Sequence, residues 1–179
     1  MTRKIVCLLA ACFLTLLIPQ SAHADVIPGT YKKMFTGNWN CLDAVGQTNN
    51  QNGGGVQQWE CLPPEQALNQ MWYAQSLGYD LYWLRSMGSG YGQRCLTTDG
   101  TSNVFLWDCQ ADPGYSGQQW HSLAGGSGAL INQRTQTCLT LAPVSTWPGN
   151  GSAIYLAPCQ FELVNGNWRA ISRQQFNAV

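Results

Sequence analysis

The sequence predicts an all-β protein made of three pseudo-repeats that close around a common axis. Three observations predict it. A phrase of Cys, apolar and Trp residues recurs three times along the chain. Gly- and Pro-rich turn signals separate the short apolar stretches. No stretch of about 12 residues carries a sustained 3.6-residue apolar period, so helix content is low.

Composition narrows the function classes. Charged residues make up 10% of the 179, against about 25% in an average soluble protein. Lys+Arg 9 balance Asp+Glu 9, so there is no basic field for nucleic acid or anionic lipid. Polarity comes instead from 12 Asn and 17 Gln, beside 19 Gly and 8 Trp. Such a surface suits neutral, hydroxyl-bearing ligands. The 45% hydrophobic content supports a packed core and excludes wholesale disorder.

Residues 1–24 read as a secretion signal. Arg3-Lys4 supply the positive start, Ile5 to Ile18 the apolar run, and Ala22-His23-Ala24 the small-residue cleavage site. The run is too short to span a membrane comfortably, and no later stretch is apolar enough to try. Leu9-Ala10-Ala11-Cys12 offers an alternative, a bacterial lipoprotein anchored at Cys12. The apolar run continues past Cys12, which favours plain cleavage after Ala24.

Trp72, Trp120 and Trp168 are spaced by 48 and 48 residues. They close the phrases Asn69-Gln70-Met71-Trp72, Gly117-Gln118-Gln119-Trp120 and Asn165-Gly166-Asn167-Trp168. Upstream stand Cys41-Leu42-Asp43, Cys95-Leu96-Thr97 and Cys138-Leu139-Thr140. Between them an apolar–aromatic segment ends at Cys61, Cys109 and Cys159. Strands are expected to open the units at Tyr31–Phe35, Leu81–Arg85 and Ala129–Asn132. Turns are expected at Gly53-Gly54-Gly55, Asp99-Gly100 and 148–151. One unit cannot bury its own apolar face, whereas three around an axis can. The phrase tryptophans then act as core wedges, one per unit.

Six cysteines remain after the signal, an even number suited to disulfides in an exported chain. Counting alone allows fifteen pairings. The repeat selects Cys41–Cys61, Cys95–Cys109 and Cys138–Cys159, each worth about 3 kcal/mol in the chain-entropy model. Zinc is a poor alternative, since no C-x2-C pair occurs and His121 is the sole His after the signal. No metal or cofactor is expected.

At these residues the chain resembles the ricin B-type lectin family over about 31–173. The resemblance implies a β-trefoil of about twelve short strands, with a six-stranded barrel and a hairpin cap. It implies one lectin domain over 25–179, with repeats at about 31–78, 79–126 and 127–173. Members bind galactose-type and other sugars in shallow pockets, up to one per repeat. They serve as free lectins, as modules on glycosidases and as cell-binding subunits of toxins.

The chemistry explains which residues matter. An aromatic ring covers the apolar face of a sugar. A carboxylate accepts hydroxyl hydrogens through charge-assisted bonds, and an amide both donates and accepts. The resemblance assigns these roles in the first repeat to Asp43 (diol-binding acid), Gln57 (pocket wall), Trp59 (stacking ring), Asn69 (hydroxyl-binding amide) and Gln70 (buttress of the acid). In the second repeat Thr97, Phe105 and Gly117 replace the acid, wall and amide. Trp107 and Gln118 persist there as a weak second site, and Asp99 reads as a turn residue. In the third repeat Thr140, Tyr155, Ala157 and Gly166 break the pattern, although Asn165 remains.

The expected function is a secreted, non-catalytic lectin for galactose-type glycans. No pair of carboxylates is grouped as glycoside hydrolysis needs, and no nucleophile motif occurs. The alternative is a cell-binding or partner-binding subunit of a secreted toxin or enzyme. Trp39, Trp83 and Trp147 lie outside the repeated positions and are candidate partner anchors. Asn150-Gly151-Ser152 is a glycosylation sequon, relevant only in a eukaryotic host.

Overall fold

The fold follows from a computed structural model that describes residues 32–36, 40–90, 92–110, 115–122, 128–143, 149–165 and 167–178. The expected signal with Cys12 lies outside the described residues, as do Trp39 and Trp147.

The first unit contributes β1 (Lys32–Thr36), β2 (Asn40–Ala44), β3 (Gly54–Glu60) and β4 (Met71–Gly78). The second contributes β5 (Leu81–Ser86), β6 (Arg94–Thr97), β7 (Phe105–Asp108) and β8 (Trp120–Ser122). In the third come β9 (Leu130–Asn132), β10 (Cys138–Leu141), β11 (Ser152–Ala157), β12 (Phe161–Val164), β13 (Asn167–Ala170) and β14 (Phe176–Ala178). Alternating burial marks strands with one face inward, as in β3, where Val56 and Gln58 are buried while Gln57 and Trp59 are half-buried.

All pairings are antiparallel. β1 pairs with β4, β4 with β5, β5 with β8, β8 with β9, and β14 with β1. The Phe176 N–H donates to Gly128 O at 2.7 Å and ties β14 to the approach to β9. Six strands thereby close a barrel. Hairpins β2–β3, β6–β7 and β10–β11 cover one end and bond to one another through β3–β7, β3–β11 and the Asn103–Tyr155 bridge. This is a β-trefoil.

The core gathers equivalent residues from the three units. Leu42, Leu96 and Leu139 are each fully buried, as are Trp72 and Trp120. The Trp72 indole N–H donates to Leu42 O, and that of Trp120 to Leu96 O, both at 2.9 Å. The three disulfides form as the repeat requires, Cys41–Cys61, Cys95–Cys109 and Cys138–Cys159.

Two expectations are corrected. The strand of Trp168 does not close the third unit. Trp168 lies on β13, opposite Leu163, in a separate two-stranded hairpin. The third wedge is Phe176, buried in the main core with Trp72 and Trp120. The hairpin β12–β13 is an insertion ahead of the last strand. It lengthens the step from the second cysteine to the buried glutamine from 9 residues (Cys61 to Gln70, Cys109 to Gln118) to 15 (Cys159 to Gln174), and a Trp in the insertion happens to fall on the 48-residue period. The third unit accordingly takes its last strand from β14, and the phrase Gln174-Gln175-Phe176 replaces Asn165 to Trp168. Trp83 is also not a spare surface ring, since it is buried with the Arg85 guanidinium 5.4 Å from its ring centroid.

Candidate functional site

Asp43 stands in β2, a strand buried at every residue, directly across from Gln57 on β3. Trp59 lies two residues along β3 and so emerges on the same face as Gln57. The opposing turn carries Gly151. A Cβ there would sit 3.8 Å from both Gln57 Oε1 and Trp59 Cζ3, in ordinary contact with both. Asn69 and Gln70 arrive from a single helical turn, Leu68–Gln70, that runs into β4. The structure thus brings together Asp43, Gln57, Asn69 and Gln70, with Trp59 on the shared face of the hairpin.

The carboxylate of Asp43 is the focus. Gln57 Nε2 donates to Oδ1 at 2.9 Å. Asn69 Nδ2 and Gln70 Nε2 donate to Oδ2 at 2.7 and 3.1 Å. A carboxylate has about four acceptor positions, so three amides nearly saturate it. Asp43 is only 1% exposed. Burial pushes its carboxyl above the ordinary value, and the bonds from Gln57 and Gln70 pull it part of the way back. Gln57 and Asn69 are half-buried at the rim, whereas Gln70 is fully buried behind the acid.

Gln70 also accepts from the Leu62 N–H and donates to Glu60 O, both at 2.9 Å. The second lobe repeats this: Gln118 accepts from the Gln110 N–H and donates to Asp108 O and Thr97 Oγ1. In the third lobe Gln174 accepts from the Gln160 N–H and donates to Pro158 O and Thr140 Oγ1. Sequence reasoning missed Gln174 and Phe176. The signal was there, a Gln-x-aromatic phrase, displaced by the inserted hairpin. The glutamine is therefore a staple common to all three lobes, and only the first lobe gives it a carboxylate.

The second lobe keeps an exposed Trp107, with the Phe105 ring edge-on at 6.0 Å between centroids. Thr97 and Thr140 donate their hydroxyl hydrogens to Cys95 O and Cys138 O, at 2.7 and 2.9 Å. Each threonine is thereby consumed as a staple anchor. Gly117 is required by packing, since a Cβ there would lie 2.4 Å from Thr98 O. His121 hydrogen-bonds to Gln133 Oε1 through Nε2.

A model of the ricin-type β-trefoil lectin domain matches residues 31–168. The chain belongs to this family. No curated protein matches this lectin domain in sequence. Among solved structures it is similar to the designed threefold-symmetric protein ThreeFoil, at 20% identity and TM-score 0.64, over 84% of this chain and 98% of that one. It is also similar to the C-half of the earthworm R-type lectin in complex with GalNAc, at 15% identity and TM-score 0.58, covering 83% and 97%. The Haemophilus ducreyi cytolethal distending toxin aligns at 16% identity and TM-score 0.61, covering 86% of each chain. At these identities the likenesses speak for the fold.

Proposed function

We propose that this domain is an exported, non-catalytic lectin that takes a galactose-type sugar in the first-lobe pocket. Asp43, Gln57, Trp59, Asn69 and Gln70 form that pocket. One observation carries the reading: a buried carboxylate whose partners are all neutral amides. Two of those amides, Gln57 and Asn69, stand at the rim and can swing aside. Adjacent sugar hydroxyls then donate to Asp43 in their place, one O–H for one N–H, so the carboxylate keeps the same number of bonds. Gln70 stays behind the acid and fixes its orientation. The Trp59 ring covers the C–H face and excludes water.

One open pocket binds weakly. A dissociation constant of about 1 mM corresponds to roughly −4 kcal/mol, so useful avidity comes from clustered glycans or linked copies. Three disulfides suit an oxidising compartment and support export. Calorimetric titration with lactose tests the pocket. Saturable binding that vanishes in Asp43→Ala is expected; unchanged binding in that variant overturns the assignment.

A second reading, a cell-binding or partner-binding subunit of a toxin or enzyme, draws on the inserted hairpin. Phe161 and Leu163 project from it exposed, Leu163 at 60%. Co-purification with a catalytic chain, lost on Leu163→Asp, favours this reading over a free lectin.

A further inference from the structure

We propose that the junction between the second and third lobes holds a second saccharide site, a cleft where a neutral sugar ring lies on Ala157 and Pro158 between Arg134 and Asp99. It goes beyond the Asp43 pocket and shares no residue with it.

The cleft exists because one of three equivalent clamps is missing. At the junction of the third and first lobes, Asn150 Oδ1 accepts the Glu60 N–H at 2.7 Å. Between the first and second lobes, Asn52 Oδ1 accepts the Asp108 N–H at 2.7 Å. Counting back from the second cysteine of each lobe, the matching turn residue between the second and third lobes is Gly100, and the matching donor is Pro158. Glycine has no side chain to accept with, and proline has no N–H to give. The counterpart of Trp59 and Trp107, counted the same way, is Ala157 here, and of those rings Trp59 stands in contact range of the turn at its own junction. What remains is an open cleft of about 620 Å³. Neither Thr140 nor Gln174, the counterparts of Asp43 and Gln70, lines it.

Its walls are built. Gly100 holds a left-handed φ of +98°, and a Cβ there would lie 2.9 Å from Arg134 Nε, so the guanidinium stem rests on bare backbone. The Arg134 backbone N–H is held by the fully buried Asn132 through Oδ1 at 3.0 Å, which fixes the turn that carries the side chain. Next to Gly100, Asp99 Oδ1 accepts from Thr101 Oγ1 at 2.6 Å and the Thr101 N–H at 2.9 Å. Those bonds, with a smaller pull from Arg134, hold its carboxyl below the ordinary range. Asp99 is thus both the expected turn residue and a wall of the cleft. Leu156 N–H bonded to Ser102 O at 2.8 Å keeps the two lobes joined beneath.

The charges select the ligand. One anion, Asp99, and one cation, Arg134, line the same cleft, so a charged ligand gains from one and loses to the other. A neutral polyol gains at both, donating hydroxyl hydrogens to Asp99 and accepting from Arg134. Ala157 and Pro158 give its C–H face an apolar floor.

Amide chemical-shift mapping tests this, with lactose and cellobiose as neutral probes and glucuronate as the charged control. The Gly100, Thr101 and Ala157 amides are expected to move with the neutral sugars, and to do so equally in Asp43→Ala, which separates this cleft from the first-lobe pocket. Arg134→Ala is expected to weaken the response about tenfold, the scale of one lost charge-assisted bond. Ala157→Trp, which restores the ring that both sister lobes carry, is expected to abolish it while the other amide signals stay in place. No shift at these amides up to about 100 mM sugar, well above a millimolar dissociation constant, overturns the proposal. So does a response to glucuronate alone, or one that survives both substitutions.

Discussion

Gln174 Nε2 donates to Thr140 Oγ1 at 2.9 Å, in the place where Gln70 Nε2 reaches Asp43 at 3.1 Å. All of these glutamines are buried, and each ties a cap hairpin to the barrel through three bonds. Gln174→Ala would leave the Gln160 N–H and the Pro158 carbonyl without this partner. The expected loss is about 2 kcal/mol of stability, with first-lobe sugar binding unchanged. Phe176→Ala is expected to cost about 3–5 kcal/mol as a core cavity. Urea denaturation of the oxidised protein measures both, and a neutral Phe176→Ala would contradict its place as third wedge.

Asp43→Asn separates charge from shape. The three amides around Asp43 all donate. An asparagine there turns its own NH2 toward at least one of them, donor against donor. Destabilisation of about 1–3 kcal/mol is expected, the penalty of an unpaired buried donor, together with loss of lactose binding. Asp43→Ala also loses binding but frees the rim amides Gln57 and Asn69 to turn to water, so its fold persists. Equal lactose affinity in Asp43→Asn and wild type would show that charge plays no part.

Asp43 sets a pH dependence with opposite signs for stability and binding. Burial raises its carboxyl above the unfolded value of 3.8. The folded state therefore holds the proton more firmly than the unfolded chain. This contribution to stability is fully present below the unfolded value and is lost as pH rises through the folded one. The stability advantage of wild type over Asp43→Ala should grow as pH falls. Lactose binding, which uses the ionised acceptor, should weaken on the same descent, with a midpoint above 3.8. Denaturation and titration series between about pH 3 and 7, spanning the carboxylate range, check both.

Rebuilding the second lobe by Thr97→Asp with Gly117→Asn should fail. The new Cβ at 117 would meet Thr98 O at 2.4 Å, so the turn must shift. The new carboxylate would be as buried as Asp43 but would face Phe105 across the hairpin where Asp43 has the Gln57 amide. No gain in lactose stoichiometry and a lower melting temperature are expected.

Much of this was legible in the residues. The cysteine pairs, the opening strands and the Trp72 and Trp120 wedges follow from spacing, because a unit that cannot bury its own face must repeat its apolar pattern. Asp43, Gln57, Asn69 and Gln70 converge as the family resemblance implied. Trp168 misled, because an inserted hairpin shifts the register without erasing the old period. Trp83 misled because burial depends on what packs over a strand.

Local order thus specified a threefold β fold with one lobe bearing an acid among amides. Contacts between lobes settled the rest: Phe176 as the last wedge, the near-saturated carboxylate of Asp43, and an open junction where Gly100 faces Pro158. Those features depend on groups far apart in the chain meeting at fixed distances, and no single stretch of sequence carries that information.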